Sequence, residues 1–244
     1  VLASAARLRD DRLTDMPVSS EGPVFARVTI LDGDSVRKVR DLLARGAFED
    51  GRLTASGQAA STKKNLQLSR NSEVKRQADA ILNQAFSASE AFANAAFPNK
   101  VAPFTYNRYD VGMTYGAHVD APFPSDGRMR SDIALTLFLS EPESYDGGEL
   151  VVQDGPLESK IKFAAGEAVV YPASSVHRVE SVTRGVRLAA ITWIQSFVPD
   201  IRHRRVLSDL LEVKALLERT QPEGKETVTL RNAFYNLMRL WWQP

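Results

Sequence analysis

The chain has 244 residues, 43% hydrophobic and 25% charged, which suits one large domain or a main domain with a small appendage. Its 31 basic and 30 acidic residues leave a formal net charge of +1, which offers no nucleic-acid or polyanion surface. There is no cysteine, so disulfides, thiol catalysis, Cys-ligated zinc and iron–sulfur clusters are excluded, and a cytoplasmic setting is expected.

Residues 1–23 are polar, carry Pro17, Ser19, Ser20 and Gly22, and read as a flexible lead-in without a signal peptide's apolar stretch. The alternating run Val24–Ile30 predicts a strand. Asp32 or Asp34 would cap a helix carrying Val36, Val39, Leu42 and Leu43 and ending at Gly46. Residues 50–63 read as loop. Asn71 or Ser72 would start a second helix through Val74, Ala78, Ile81 and Phe86, and a further helix or turn runs to Pro98. From residue 101 the texture changes to short apolar stretches at 101–109, 115–120, 132–139, 149–153, 160–163, 167–171, 176–182 and 186–197, parted by turn signals. Such spacing implies a sandwich, barrel or jelly roll. After Pro199, Val206, Leu207, Leu210, Leu211, Val213, Leu216 and Leu217 lie at helical spacing. A turn at Gln221–Gly224 leads to a second amphipathic helix carrying Leu230, Phe234, Leu237, Met238, Trp241 and Trp242. The expected organisation is a domain over 24–199, with a β-core at about 101–199, and a C-terminal helical extension over 200–244. The fold class is mainly β with flanking helices. No apolar run approaches the length of a membrane span.

Only three histidines occur: His118, His177 and His203. In Tyr115-Gly116-Ala117-His118-Val119-Asp120, a His and an Asp two apart on a strand point to one face and can converge on one ion. His177 lies 57 residues beyond Asp120 in another β-like run. Two imidazoles and one carboxylate on one side of an ion leave open positions opposite, the arrangement of non-haem Fe(II) oxygenases. An H-x-D pair alone is common by chance, so the reading needs support. Arg187 follows His177 by ten residues and shares a strand face with Ala189, Ile191 and Trp193. A guanidinium among apolar neighbours is costly unless it meets an anion, such as the far carboxylate of a keto acid. Asp146-Gly147-Gly148-Glu149-Leu150 is a tight turn into a strand between the two ligand regions. Tyr109, nine residues before His118, could reach the keto acid from a neighbouring strand or be a core tyrosine. His203, within Arg202-His203-Arg204-Arg205, reads as part of a solvated helix start.

Together these motifs resemble the Fe(II)/2-oxoglutarate dioxygenase superfamily, in its prolyl 4-hydroxylase-like branch, and the bacterial PKHD-type hydroxylases within it. Asp50-Gly51-Arg52-Leu53-Thr54-Ala55 and Lys64-Asn65-Leu66-Gln67-Leu68 are similar to that family's N-terminal signature. Tyr109-Asp110-Val111-Gly112-Met113, with Tyr115, His118 and Asp120, is similar to its iron motif, and Asn236–Trp241 to its C-terminal extension. The resemblance spans about residues 24–244. It implies a double-stranded β-helix, Fe(II) held by His118, Asp120 and His177, 2-oxoglutarate anchored by Arg187, O₂ as cosubstrate and L-ascorbate as reductant. It also implies a loose tie to iron acquisition. One departure concerns Phe138, where animal prolyl hydroxylases of this branch carry a Tyr; the missing hydroxyl contact would fall to Thr136 or Tyr109. Phe123, Arg128 and Arg130, on the loop after Asp120, are candidates to face a substrate, which would be a small molecule or a peptide. Trp241 and Trp242 could support homo-oligomer contacts through the C-terminal helices, although core packing explains them more simply. A second reading is a cupin-like iron or keto-acid sensor without turnover, against which Arg187 argues. A zinc hydrolase using the same set lacks a general-base motif.

Overall fold

The computed structural model describes residues 25–54, 61–124 and 127–244, so the lead-in expected over 1–23 lies outside the described residues. Strand β1 (Ala26–Thr29) leads into helix α1 (Gly33–Ala44), capped by Asp32, whose side chain accepts from the Ser35 amide at 2.7 Å. Helix α2 (Glu73–Ala88) starts at the Ser72 cap and α3 (Glu90–Ala96) at the Ser89 cap. The apolar faces of these helices bury Val36, Val39, Leu43, Ala78, Leu82, Phe86 and Phe92 in one core, against the outer face of a large sheet.

That sheet has the order β1-β12-β8-β15-β6-β4-β2, with β5 paired to part of β15. Its members are β2 (Phe48–Asp50), β4 (Leu66–Leu68), β5 (Pro98–Val101), β6 (Thr105–Tyr109), β8 (Ile133–Phe138), β12 (Glu167–Pro172) and β15 (Arg187–Ser196). A smaller sheet has the order β11-β10-β13-β7-β3, from β3 (Lys63–Lys64), β7 (Thr114–His118), β10 (Leu150–Asp154), β11 (Leu157–Ile161) and β13 (His177–Val179). A two-stranded ribbon joins β9 (Asp146–Gly147) to β14 (Val182–Arg184). All these pairings are antiparallel, and the two main sheets make the jelly roll expected from the strand spacing.

Strand β8 shows how the layers are stacked. Ile133, Leu135 and Leu137 pack with the helices, while Ala134 and Phe138 pack between the sheets. Burial of each Leu or Ile contributes roughly 1.5–3 kcal/mol, and burial on both faces explains a strand that is apolar throughout except for Thr136. The same alternation divides β15: Ala190 and Ile194 turn to the helices, Trp193 to the space between sheets.

The β-structure begins earlier than residue 101. Strand β1 extends one edge of the large sheet, β2 and β4 extend the other, and β3 extends the small sheet. Part of the segment read as loop over 50–63 is a 3-10 turn, Gly51–Thr54. After Pro199, α4 (Ile201–Thr220) and α5 (Lys225–Trp241) form the expected helical hairpin. It is held by a small core of Phe97, Val198, Leu207 and Phe234, and by Ser208 Oγ donating to the Asn94 carbonyl at 2.9 Å. Arg204 is buried and donates to the carbonyls of Val198 and Pro199 at 2.8 and 2.7 Å, which ties the hairpin to the end of β15. His203 lies in the first turn of α4, as expected, half-buried with its ring stacked on Trp241 at 4.1 Å. Among the described residues no helix is long and apolar enough to cross a membrane.

Candidate metal centre

Strand pairing brings the two ligand regions together. His177 on β13 lies directly opposite His118 on β7, with ring centroids 4.3 Å apart. Asp120 sits two residues past the end of β7, and its Oδ2 is 3.8 Å from His177 Nε2. One ligand atom from each of the three residues lies within 4.8 Å of the others, a spacing at which one ion can be shared. His118 Nδ1 contacts the Gly116 carbonyl at 2.8 Å and His177 Nδ1 contacts the Ser175 carbonyl at 3.0 Å. Carbonyls only accept, so Nδ1 carries the proton in both rings and Nε2 presents its lone pair. Burial and the neighbouring His177 push His118 down to about 4, so its imidazole is neutral at neutral pH, the form that binds metal.

The sequence folds so as to fix His118 from one side. The Tyr115 ring stacks on it at 3.8 Å, and Lys63 Nζ lies 5.2 Å from the centre of that tyrosine on the opposite strand, β3. Gly116 is required here, because a Cβ would come within 2.7 Å of Thr62 Cβ.

Arg187 lies on the large sheet, opposite Tyr109 on β6, and is 2% exposed. Its guanidinium carbon is 5.1 Å from the Tyr109 ring centre and 5.6 Å from that of Phe138. Two buried polar atoms here have no hydrogen-bond partner among the described residues: Arg187 Nε and the Tyr145 hydroxyl. Leaving such groups unpaired costs roughly 1–3 kcal/mol each, which marks a place prepared for a polar ligand. The Gly147-Gly148 turn closes over this end. Both glycines have positive φ, and a Cβ on Gly148 would meet Arg187 Cδ at 3.1 Å.

Tyr171 connects the two ends. Its ring is edge-on to His177 at 5.2 Å, and Asp120 and Arg187 both act on its hydroxyl electrostatically. Burial raises Tyr171, Tyr109 and Tyr145 above the usual phenol range, so all three stay protonated. Tyr109 lies beside both Arg187 and Asn65, and Thr136 alternates with the helix-facing Leu135 and Leu137 on β8. Phe138, 1% exposed, is an apolar wall of the same space. Tyr171 and Tyr145 were missed by the sequence reading. Their signal was a lone hydroxyl within Val169-Val170-Tyr171 and another directly before Asp146-Gly147-Gly148. Of the loop candidates, Arg130 is paired to Asp132 at 2.5 Å, so its charge is already taken, whereas Phe123 is 60% exposed.

A family model for the 2OG-Fe(II) oxygenase superfamily matches residues 104–195, the stretch that carries the triad and Arg187. A PKHD-type hydroxylase of Burkholderia ambifaria is 39% identical over 220 residues, covering 87% of this chain and 96% of the relative. One from Delftia acidovorans is 40% identical over 218 residues, covering 88% and 96%. The chain belongs to the PKHD-type hydroxylase family. Among solved structures it is similar in fold to a Pseudomonas putida prolyl-4-hydroxylase, with a TM-score of 0.50 and 19% identity over 71% of this chain and 92% of that one. A Trichoplax adhaerens prolyl hydroxylase gives a TM-score of 0.51 and 16% identity over 76% and 87%.

The protein is thus a 2-oxoglutarate-dependent hydroxylase of the Fe(II) oxygenase superfamily. Its residues fit the reactants. Two imidazole nitrogens and one carboxylate suit Fe(II) with positions left open, and a buried guanidinium with an orphaned Nε suits a carboxylate.

Proposed function

We propose that His118, Asp120 and His177 hold Fe(II), that Arg187 binds the distal carboxylate of 2-oxoglutarate, and that the enzyme hydroxylates a small molecule at a C–H bond. The observation that carries this reading is the buried, unsatisfied Arg187 behind the triad, because an iron-binding sensor does not need it. Bound iron, with 2-oxoglutarate and O₂, supplies the oxidising equivalent that replaces hydrogen by hydroxyl and yields succinate and CO₂.

The chain's own residues orient and shield that chemistry. The Gly116 and Ser175 carbonyls hold the imidazole tautomers with Nε2 toward the ion. Tyr171 and Tyr109 offer hydroxyls on the path from triad to Arg187, and Tyr145 offers one beside it. Phe138, Val169, Leu150 and Val152 keep water from the inner space. Gly148 leaves room for the Arg187 stem. Ascorbate as reductant and a setting in iron acquisition rest on the family resemblance alone. Exposed Val206, Val213, Leu216 and Leu240 on the C-terminal hairpin favour self-association, which sedimentation at two protein concentrations checks.

The test is anaerobic titration of the protein with Fe(II) and 2-oxoglutarate, followed by admission of O₂. A visible charge-transfer band and then succinate are expected. The band without succinate across a broad substrate panel would point to the sensor instead. No band would remove the reading altogether.

A further inference from the structure

A carboxylate brings two oxygens with about four lone-pair sites, more than one buried guanidinium satisfies once water is excluded. A slot for such an anion therefore needs a further donor beside Arg187. The two rings that face the guanidinium do not supply it. Arg187 lies over the Tyr109 ring, its guanidinium carbon 5.1 Å from the centre, so the two meet through the π face rather than the hydroxyl. Phe138, with its ring centre 5.6 Å away, has no polar atom.

Tyr145 supplies one. It is 0% exposed, and its hydroxyl, like Arg187 Nε, has no hydrogen-bond partner among the described residues. The two orphans are neighbours. A Cβ on Gly148 would lie 3.1 Å from Arg187 Cδ and 3.2 Å from Tyr145 Cε2. Cδ is bonded to Nε, and Cε2 is the ring carbon next to the one that bears the hydroxyl, so both side chains flank a single point. The phenol is held there. Lys162 Nζ donates to the Tyr145 carbonyl at 2.7 Å and lies 4.0 Å from the centre of the ring. On the backbone side, a Cβ on Gly185 would meet Tyr145 Cα and Cβ at 3.0 and 3.1 Å. Burial keeps the hydroxyl protonated, so it is able to donate. Two desolvated donors side by side, both unpaired, cost stability until one anion accepts from both.

We propose that Tyr145 is the second anchor of the distal carboxylate of 2-oxoglutarate, its hydroxyl donating to that group alongside the Arg187 guanidinium. This rests on the oxygenase reading of the site. Tyr145 then helps to select the keto acid, because its hydroxyl gains a partner only from an acid with a carboxylate at the far end. The Gly147-Gly148 turn serves both anchors, since the missing Cβ of Gly148 leaves room for the Arg187 stem and the Tyr145 ring together.

The test compares the whole chain in wild-type and Tyr145→Phe form, a change that keeps the ring. Each is loaded with Fe(II) under nitrogen and titrated with 2-oxoglutarate and with 2-oxopentanoate, which has the same carbon chain but ends in a methyl group, and the visible band is followed. Tyr145→Phe should weaken 2-oxoglutarate binding by about 10–100-fold, the worth of a hydrogen bond to a charged group. Affinities for 2-oxopentanoate and for Fe(II) should stay within about twofold of wild type. The melting temperature of the metal-free variant should not fall, because an orphaned hydroxyl is removed. With the band present in wild type, equal 2-oxoglutarate affinity in the two proteins overturns the proposal. An equal loss for both keto acids, or a lower melting temperature, overturns it as well, since the hydroxyl would then be structural. Absence of the band in wild type overturns the oxygenase reading, and the proposal with it.

Discussion

His118 ends one short strand of the small sheet and His177 begins another, both held by contacts to carbonyls two residues earlier in the chain and, for His118, by a stacked ring. Arg187 sits at the start of the longest strand in the large sheet, 2% exposed, ringed by tyrosines and a glycine turn, with its Nε unsatisfied. Both groups await a ligand, but the cost is met differently. At the triad the His118 ring is held neutral, so it costs little before a metal binds, and exposed Val119 and Val176 lie alongside in the chain. At the Arg187 end the charge is buried and enclosed, so it costs stability until an anion meets it. On the proposed function, the difference separates the end that takes the metal from an enclosed slot for one anion.

The largest break in this comparison is at the triad. His118→Ala, His177→Ala and Asp120→Ala should each abolish succinate formation and the charge-transfer band, because a facial set with one member missing no longer holds iron. Loss of activity with an undiminished band would contradict the assignment. Arg187→Met comes next and should produce opposite effects on ligand and fold. Affinity for 2-oxoglutarate should fall by about 2–5 kcal/mol, while the melting temperature of the metal-free protein should not fall, since a buried unpaired charge is removed. A large drop in melting temperature would mean that Arg187 is structural. Gly148→Ala tests the slot's cover. With φ at 65° and Arg187 Cδ 3.1 Å from the added methyl, it should weaken 2-oxoglutarate binding but spare iron binding, read by titrating each separately. Tyr115→Leu removes the ring stacked on His118 and should lower metal affinity by about 10–100-fold, the usual cost of losing a ligand's support. Tyr115→Phe, which keeps the ring, should stay near wild type.

The two ends were also unequally legible in the sequence. His118, Asp120, His177 and Arg187 could be read because a metal set and a strand-borne Arg demand particular residue types at particular spacings. Helices α1 and α2 could be read because Asp32 and Ser72 cap clear apolar stripes. What escaped was set by tertiary context. Strands β2, β3 and β4 are three, two and three residues long, and β3 is Lys-Lys, so no alternation marks them. Polar side chains are buried around them: Asn65, between β3 and β4, and Gln67 both donate to Asn107 Oδ1 at 2.9 Å. The Gly147-Gly148 turn was seen, but its role was not, since only the fold brings it against Arg187. Tyr171 looked like any core aromatic, and its place between His177 and Thr136 depends on the register of β12 with β8.

The smallest expected effect concerns pH and sharpens the claim that the empty triad is cheap to keep. His118 is held at about 4 in the folded, metal-free protein, below its ordinary value of 6.5. The unfolded chain therefore takes up this proton first as pH falls. The contribution of His118 to stability is full above about pH 6.5, declines through the interval, and is lost once pH reaches about 4. Urea unfolding of metal-free wild type and His118→Gln at pH 7 and pH 5 reads it directly. The variant cannot be protonated at that position, so its stability should drop less between the two values. An equal drop in both proteins would show that burial and His177 do not hold His118 neutral. The triad would then carry a charge penalty of its own when empty, and the contrast with Arg187 would disappear.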